Sequence, residues 1–143
     1  MKQKIGKLYL IFIAVYTLFV LYLMFFGFGR TPYDFNIVRL RPLLSTFDFV
    51  RQSIGYKSII INICGNILMF IPYGFLGLIF PKLNEIKGLI INFLFAIIIV
   101  ESLQYFTRLG VFDIDDLLLN TVGVVIGFYF YKWFFKTFID KDS

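Results

Sequence analysis

Four apolar runs, at roughly 8–28, 59–80, 88–106 and 117–135, constrain this chain more than any other feature. Each approaches the about 20 residues that a helix needs to cross the hydrocarbon core of a bilayer. With no water in that core, a spanning segment must pair its own backbone N–H and C=O groups, which a helix does within itself. Separated runs of this length therefore predict an all-α, polytopic membrane protein with four transmembrane helices in a bundle. Four spans consume most of 143 residues and leave a single domain over 1–143. Composition agrees: 59% of residues are hydrophobic and 16% charged, too apolar a balance for a soluble domain of this size.

Lys2, Lys4 and Lys7 precede the first run, as they would in a secretory signal. The run outlasts the roughly 7–15 apolar residues of a signal's core and no small-residue cleavage site follows, so a retained helix is expected. With both termini cytoplasmic, the inner segments hold Lys2, Lys4, Lys7, Lys82, Lys87, Lys132, Lys136 and Lys141. The outer segments then hold Arg30, Arg39, Arg41, Arg51, Lys57 and Arg108. The excess is small, but the N-terminal cluster carries most weight in setting orientation. Tyr129, Tyr131 and Trp133 around Lys132 suit an interfacial anchor.

A net charge of +5 and a pI near 9.4 point to membrane lipids with anionic head groups. Nucleic acid is not expected as a partner, because the bases are scattered around the spans instead of forming one soluble patch. Cys64 is the only cysteine and there is no histidine, which excludes an intramolecular disulfide and the common Cys/His zinc sites. Cys64 reads as a small buried hydrophobe. No cofactor is expected. A hard cation on Asp113, Asp116, Glu101 and Asn120 would have oxygen ligands, but without a second acidic cluster no metal site is expected.

In the first outer loop, Leu43, Phe47, Val50 and Ile54 recur at helical spacing after Pro42. That pattern predicts a short interfacial amphipathic helix. Just upstream, Arg39 and Arg41 flank Leu40 at the depth where lipid phosphates lie.

The polar residues of the last two spans are concentrated from Glu101 to Gly127. Residues three or four apart share a helix face, so Glu101, Gln104 and Arg108 form one stripe. Asp113, Asp116, Asn120, Gly123 and Gly127 form a second that turns from polar to small. The two stripes are expected to face each other across the turn at Leu109–Gly110. Asp113 is placed to cap the fourth helix, with Asp116 three residues on as in a capping box. Asp115 projects from the other side, toward water. In the second run Asn62 and Asn66 lie one turn apart and need partners, which the stripes would provide. Pro72 frees the carbonyl of Leu68 and predicts a kink, and Gly65, Gly74 and Gly77 permit close helix approach.

An ionisable group below the interface costs roughly 2.5–3.5 kcal/mol on insertion scales and normally faces a bundle interior or a wet cavity. Glu101 is such a group. The crest can be an ion-pair network of Arg108 with Asp113 or Asp116, or a polar pocket toward the outer leaflet. Glu101, Asp113, Asp115 and Asp116 outnumber Arg108, and Asn62, Asn66, Gln104 and Asn120 converge with them, which favours a pocket.

The segments NICGNILMFIPYGFLG and ESLQYFTRLGVFDIDDLLLNTVGVVIG, with the N-terminal helix, resemble the VanZ-like family, bacterial membrane proteins named for a member linked to teicoplanin resistance. The E-x-x-Q-x-x-x-R and D-x-x-D-x-x-x-N-x-x-G spacings are the most specific part. The resemblance places characteristic positions on Asn62, Asn66, Pro72, Gly74, Glu101, Gln104, Arg108, Asp113, Asp116, Asn120 and Gly123. It implies a role at the bacterial envelope that lowers susceptibility to lipoglycopeptides such as teicoplanin, with a lipid-linked cell-wall component or the glycopeptide as partner. The residues also permit an intramembrane enzyme acting on a lipid head group or lipid-linked saccharide, with Glu101 or Asp116 as base and Arg108 holding a phosphate.

Overall fold

Three helices among the described residues are long and apolar enough to cross a membrane: Lys4–Phe26, Ile86–Thr107 and Ile114–Thr137. They correspond to the first, third and fourth apolar runs, and they make the chain an all-α membrane protein in its broad architecture. The structure is a computed structural model that describes residues 2–40 and 56–138. The amphipathic helix expected between Pro42 and Ile54 lies outside the described residues.

In chain order, α1 (Lys2–Phe26) ends in a 3-10 turn at Gly27–Gly29. Helix α2 (Tyr56–Phe70) runs directly into a 3-10 segment, Ile71–Leu78. A further 3-10 turn at Pro81–Leu83 leads to α3 (Ile86–Thr107), and α4 (Ile114–Phe138) is the last described element. Two short strands, β1 (Val38–Arg39) and β2 (Phe112–Asp113), pair in parallel and were not expected from the sequence.

Leu89, Phe93 and Ile97 recur every fourth residue and form the buried stripe of α3. Val20 and Met24 of α1, Phe70 of α2, and Leu117, Val124 and Phe128 of α4 complete one core around it. The outer faces are equally apolar. Leu8, Phe95 and Phe106 are 71%, 71% and 74% exposed, and on a soluble protein apolar surface of this extent would be unusual. In a bilayer it faces lipid. Cys64 belongs to this outer surface, not to the core expected for it. A small apolar side chain satisfies hydropathy equally well on either side of a spanning helix.

The second apolar run departs from a uniform α-helix. Eight of its residues, Ile71–Leu78, wind as a 3-10 helix, longer than the three or four residues usual for that form. Neighbouring backbone explains how it is held. A Cβ on Gly74 would overlap the backbone of Gly127 and Phe128, and Cβ atoms on Gly123 and Gly127 would overlap the carbonyl oxygens of Ile67 and Ile71. The small end of the α4 stripe thus packs on α2 and its 3-10 extension, backbone against backbone, as small-residue contacts allow in membranes. Among the described residues Gly65 makes no such contact, since none of them lies within 4 Å of a Cβ there.

Tighter winding also moves the effect of Pro72. In 3-10 register a residue-72 N–H would have met the Met69 carbonyl, where the α register pointed to Leu68. The Tyr16 hydroxyl donates to that Met69 oxygen at 3.0 Å, and the Tyr9 hydroxyl donates to the Pro72 carbonyl. The α1 tyrosines therefore supply donors at the break, which hydrocarbon surroundings demand.

The ends of these elements alternate. Asn62 near the start of α2 lies beside the last turns of α1 and α3 and the first turns of α4. Gly77, Leu78 and Ile79 lie beside the first turns of α1 and the last turns of α4.

Candidate functional site

Helix α4 starts where Asp113 lets it. The Asp113 Oδ1 accepts the backbone N–H of Asp115 at 2.9 Å, the capping bond its position predicts. Asp116 does not complete a capping box by turning back to Asp113. It turns across to α2, where the Asn66 Nδ2 donates to the Asp116 Oδ1 at 2.8 Å and to the Asn62 Oδ1 at 3.1 Å. Both amides of the second run therefore face the crest, as their spacing predicts. Asp115 is buried, at 5% exposure, and does not project into water as expected.

Helix α3 stops at Thr107 because Arg108 takes a left-handed conformation, φ 58°. That backbone turn carries the Arg108 side chain off the stripe of Glu101 and Gln104. Its Nη1 donates to the Asp34 carbonyl at 3.3 Å on the exposed surface, and Arg108 does not line the cavity described below. The cationic role expected of it falls to two residues of the loop after α1. Register Val38↔Phe112 and Arg39↔Asp113 lays that loop over the α3–α4 turn, bringing the Arg39 Nη1 to 3.7 Å from the Asp113 Oδ2. Three more bonds fasten the loop: the Tyr33 N–H to the Arg108 carbonyl at 2.9 Å, the Asn36 Nδ2 to the Tyr105 carbonyl at 2.9 Å, and the Arg30 Nη1 to the Leu109 carbonyl at 3.0 Å.

Gln104 ties the site to α1. Its Nε2 donates to the Met24 carbonyl at 2.7 Å in a buried position. Gly110 packs directly on that side chain, and its N–H donates to the Gln104 carbonyl.

These elements enclose a cavity of about 450 Å³, within the roughly 300–1,000 Å³ typical of small-molecule sites. Asn62, Asn66, Glu101, Gln104, Asp113, Asp116 and Asn120 all line it, joined by Arg30, Arg39 and an apolar wall that includes Leu23, Met24, Met69 and Phe70. Of the eight residues expected in a site, Arg108 alone is elsewhere. Helical spacing gives no sign of Arg30 or Arg39 in the site, because both lie in the loop after α1 and not on a helix face. The available signal was an excess of carboxylates at the same membrane depth as Arg30, the first cation after the first span.

Two acceptors in this cavity stand apart. Glu101 and Asn120 are each 2% exposed, and the Glu101 Oε2 and Asn120 Oδ1 have no hydrogen-bond partner among the described residues. Leaving a buried polar atom unsatisfied costs about 1–3 kcal/mol. The same chain places tyrosine hydroxyls on carbonyls around Pro72, whereas these two oxygens lie buried, without a partner among the described residues, on two residues that line one cavity. The described residues contain no group of three or more His, Cys, Asp or Glu placed to hold a metal ion.

A larger cavity, about 880 Å³, lies at the opposite end between α1 and α4. Among the described residues its polar lining is Lys7, Lys132, Lys136, Asn84 and Tyr131, without a carboxylate, and the Lys132 Nζ donates to the Asn84 Oδ1 at 2.8 Å. It shares no residue with the crest.

No curated protein and no solved structure matches this chain. The profile describing the VanZ/LLP1 family matches residues 12–135, a stretch that contains every residue lining the crest cavity, and the chain belongs to that family.

Proposed function

We propose that this protein binds a polar, membrane-anchored envelope component in the crest cavity, at the outer leaflet of a bacterial cell membrane. By occupying or shielding that component it lowers susceptibility to lipoglycopeptides such as teicoplanin. The observation that carries the binding reading is that Glu101 and Asn120, each 2% exposed, both line one cavity and each hold an oxygen without a hydrogen-bond partner among the described residues. The resistance role rests on the family resemblance.

The topology proposed is four passes with both termini cytoplasmic. The second pass is the combined α2 and 3-10 segment. Fifteen residues at about 1.5 Å and eight at about 2.0 Å give about 38 Å, enough for a hydrocarbon core of about 30 Å. Four passes put the crest on the side away from Lys2, Lys4 and Lys7, which the basic cluster places inside.

The test compares Glu101→Gln and Asp116→Asn with the parent chain in cells exposed to teicoplanin, with membrane abundance measured in parallel. Binding predicts near-parental abundance with tolerance lost. Abundance falling in step with tolerance would make these residues structural and sink the reading. Binding also leaves the envelope lipid profile unchanged. A lipid species that depends on the protein would favour the intramembrane enzyme, with Glu101 or Asp116 as base.

A further inference from the structure

We infer that the crest cavity takes a head group bearing both an N–H-donating ammonium and a phosphate, with the ammonium deep against Glu101 and Asn120 and the phosphate at Arg30 and Arg39. This rests on the binding reading above and names its ligand class. An aminophospholipid of the ethanolamine type, a component of the bilayer itself, is the occupant that fits.

The cavity is polarised along its depth. The two oxygens without a partner among the described residues are the Glu101 Oε2 and Asn120 Oδ1; with Glu101 ionised both accept, so a donating inner end of the ligand satisfies them. At the rim the groups are donors. Arg39 is 54% exposed and spends one nitrogen at 3.7 Å from Asp113, while Arg30 gives one N–H to the Leu109 carbonyl. A guanidinium carries five N–H donors, so each retains several for a phosphate, which arginine recognises in bidentate fashion.

Charge separates the candidate head groups. Three carboxylates, Glu101, Asp113 and Asp116, line the cavity with two arginines. Asp113 has Arg39, and Asp116 accepts from Asn66. An uncompensated buried charge is costly in a low-dielectric setting. A hydroxyl from a glycerol or sugar head group satisfies the Glu101 oxygen without bringing a positive charge to these three carboxylates. A primary ammonium supplies a positive charge and three N–H donors together. A quaternary ammonium supplies the charge without any N–H donor and cannot satisfy either oxygen.

That last difference provides the test. The full chain is reconstituted in nanodiscs of phosphatidylcholine doped with phosphatidylethanolamine or phosphatidylglycerol, and retained lipid is counted by native mass spectrometry. Phosphatidylethanolamine should be retained over both others by about tenfold, the discrimination expected from one charge-assisted hydrogen bond. Glu101→Gln should abolish that preference. If this variant does not fold, the parental discrimination between primary and quaternary ammonium decides alone. Soluble O-phosphoethanolamine displacing the lipid supports the same chemistry and shows that a free ligand also enters. Retention of a lipid without preference among the three overturns the ammonium inference and leaves the binding reading standing. Retention of no lipid and no soluble head group, with water alone in the cavity, overturns both.

Discussion

Replacing Gly127 by alanine tests the packing that positions the crest. A Cβ there would overlap the Ile71 carbonyl oxygen and stand 3.2 Å from the Gly74 Cα. Both obstacles are backbone, so neither can rotate away, and α4 must part from the α2 and 3-10 segment. Gly65→Ala is the reference, because no described residue lies within 4 Å of its Cβ. Both changes gain the same helix propensity, up to about 1 kcal/mol, so that contribution cancels in the comparison. What remains is the cost of overpacking, about 1–3 kcal/mol. Unfolding followed in detergent through Trp133 fluorescence should place Gly127→Ala below Gly65→Ala by that amount. Equal stabilities would refute the backbone contact and, with it, the position of Asn66 relative to Asp116.

Two further substitutions separate roles within the site. Asp113→Ala should cost about 1 kcal/mol through the lost helix cap, whereas Asp113→Asn keeps a capping oxygen while losing the charge that faces Arg39 at 3.7 Å, a pair worth up to about 1 kcal/mol; unfolding midpoints of the two variants check the order. A spin label on Cys64, the sole thiol, should show relaxation by lipid-soluble oxygen exceeding that by a water-soluble nickel chelate, since Cys64 is exposed on the outer surface. The opposite order would place that face of α2 against water.

Much of the site was legible because helical spacing is a local property. Glu101 and Gln104, Asn62 and Asn66, and Asp113, Asp116 and Asn120 each lie within one helix, so their faces follow from their numbers. The rim was not legible. Arg39 reaches Asp113 through a two-residue parallel pairing between distant segments, too short to leave a periodic signal. Arg108 was misplaced because helical spacing was extended one residue beyond the real helix end, and a left-handed backbone at a non-glycine residue is rare enough that sequence gives no warning. Pro72 announced a break in the second run, but the eight-residue 3-10 segment depends on Gly74 meeting Gly127 and on the α1 tyrosines, contacts between elements. Burial of Asp115 and exposure of Cys64 inverted the expectation for the same reason. Composition says that a span is apolar, and only packing says which side faces lipid.

Whether the crest cavity holds a ligand is measured most directly by cryo-electron microscopy of the full chain in lipid nanodiscs. It should show non-protein density within hydrogen-bond distance of the Glu101 Oε2 and Asn120 Oδ1, continuous with density at Arg30 and Arg39. A closed crest in which protein groups satisfy both oxygens and no cavity remains would contradict ligand binding there.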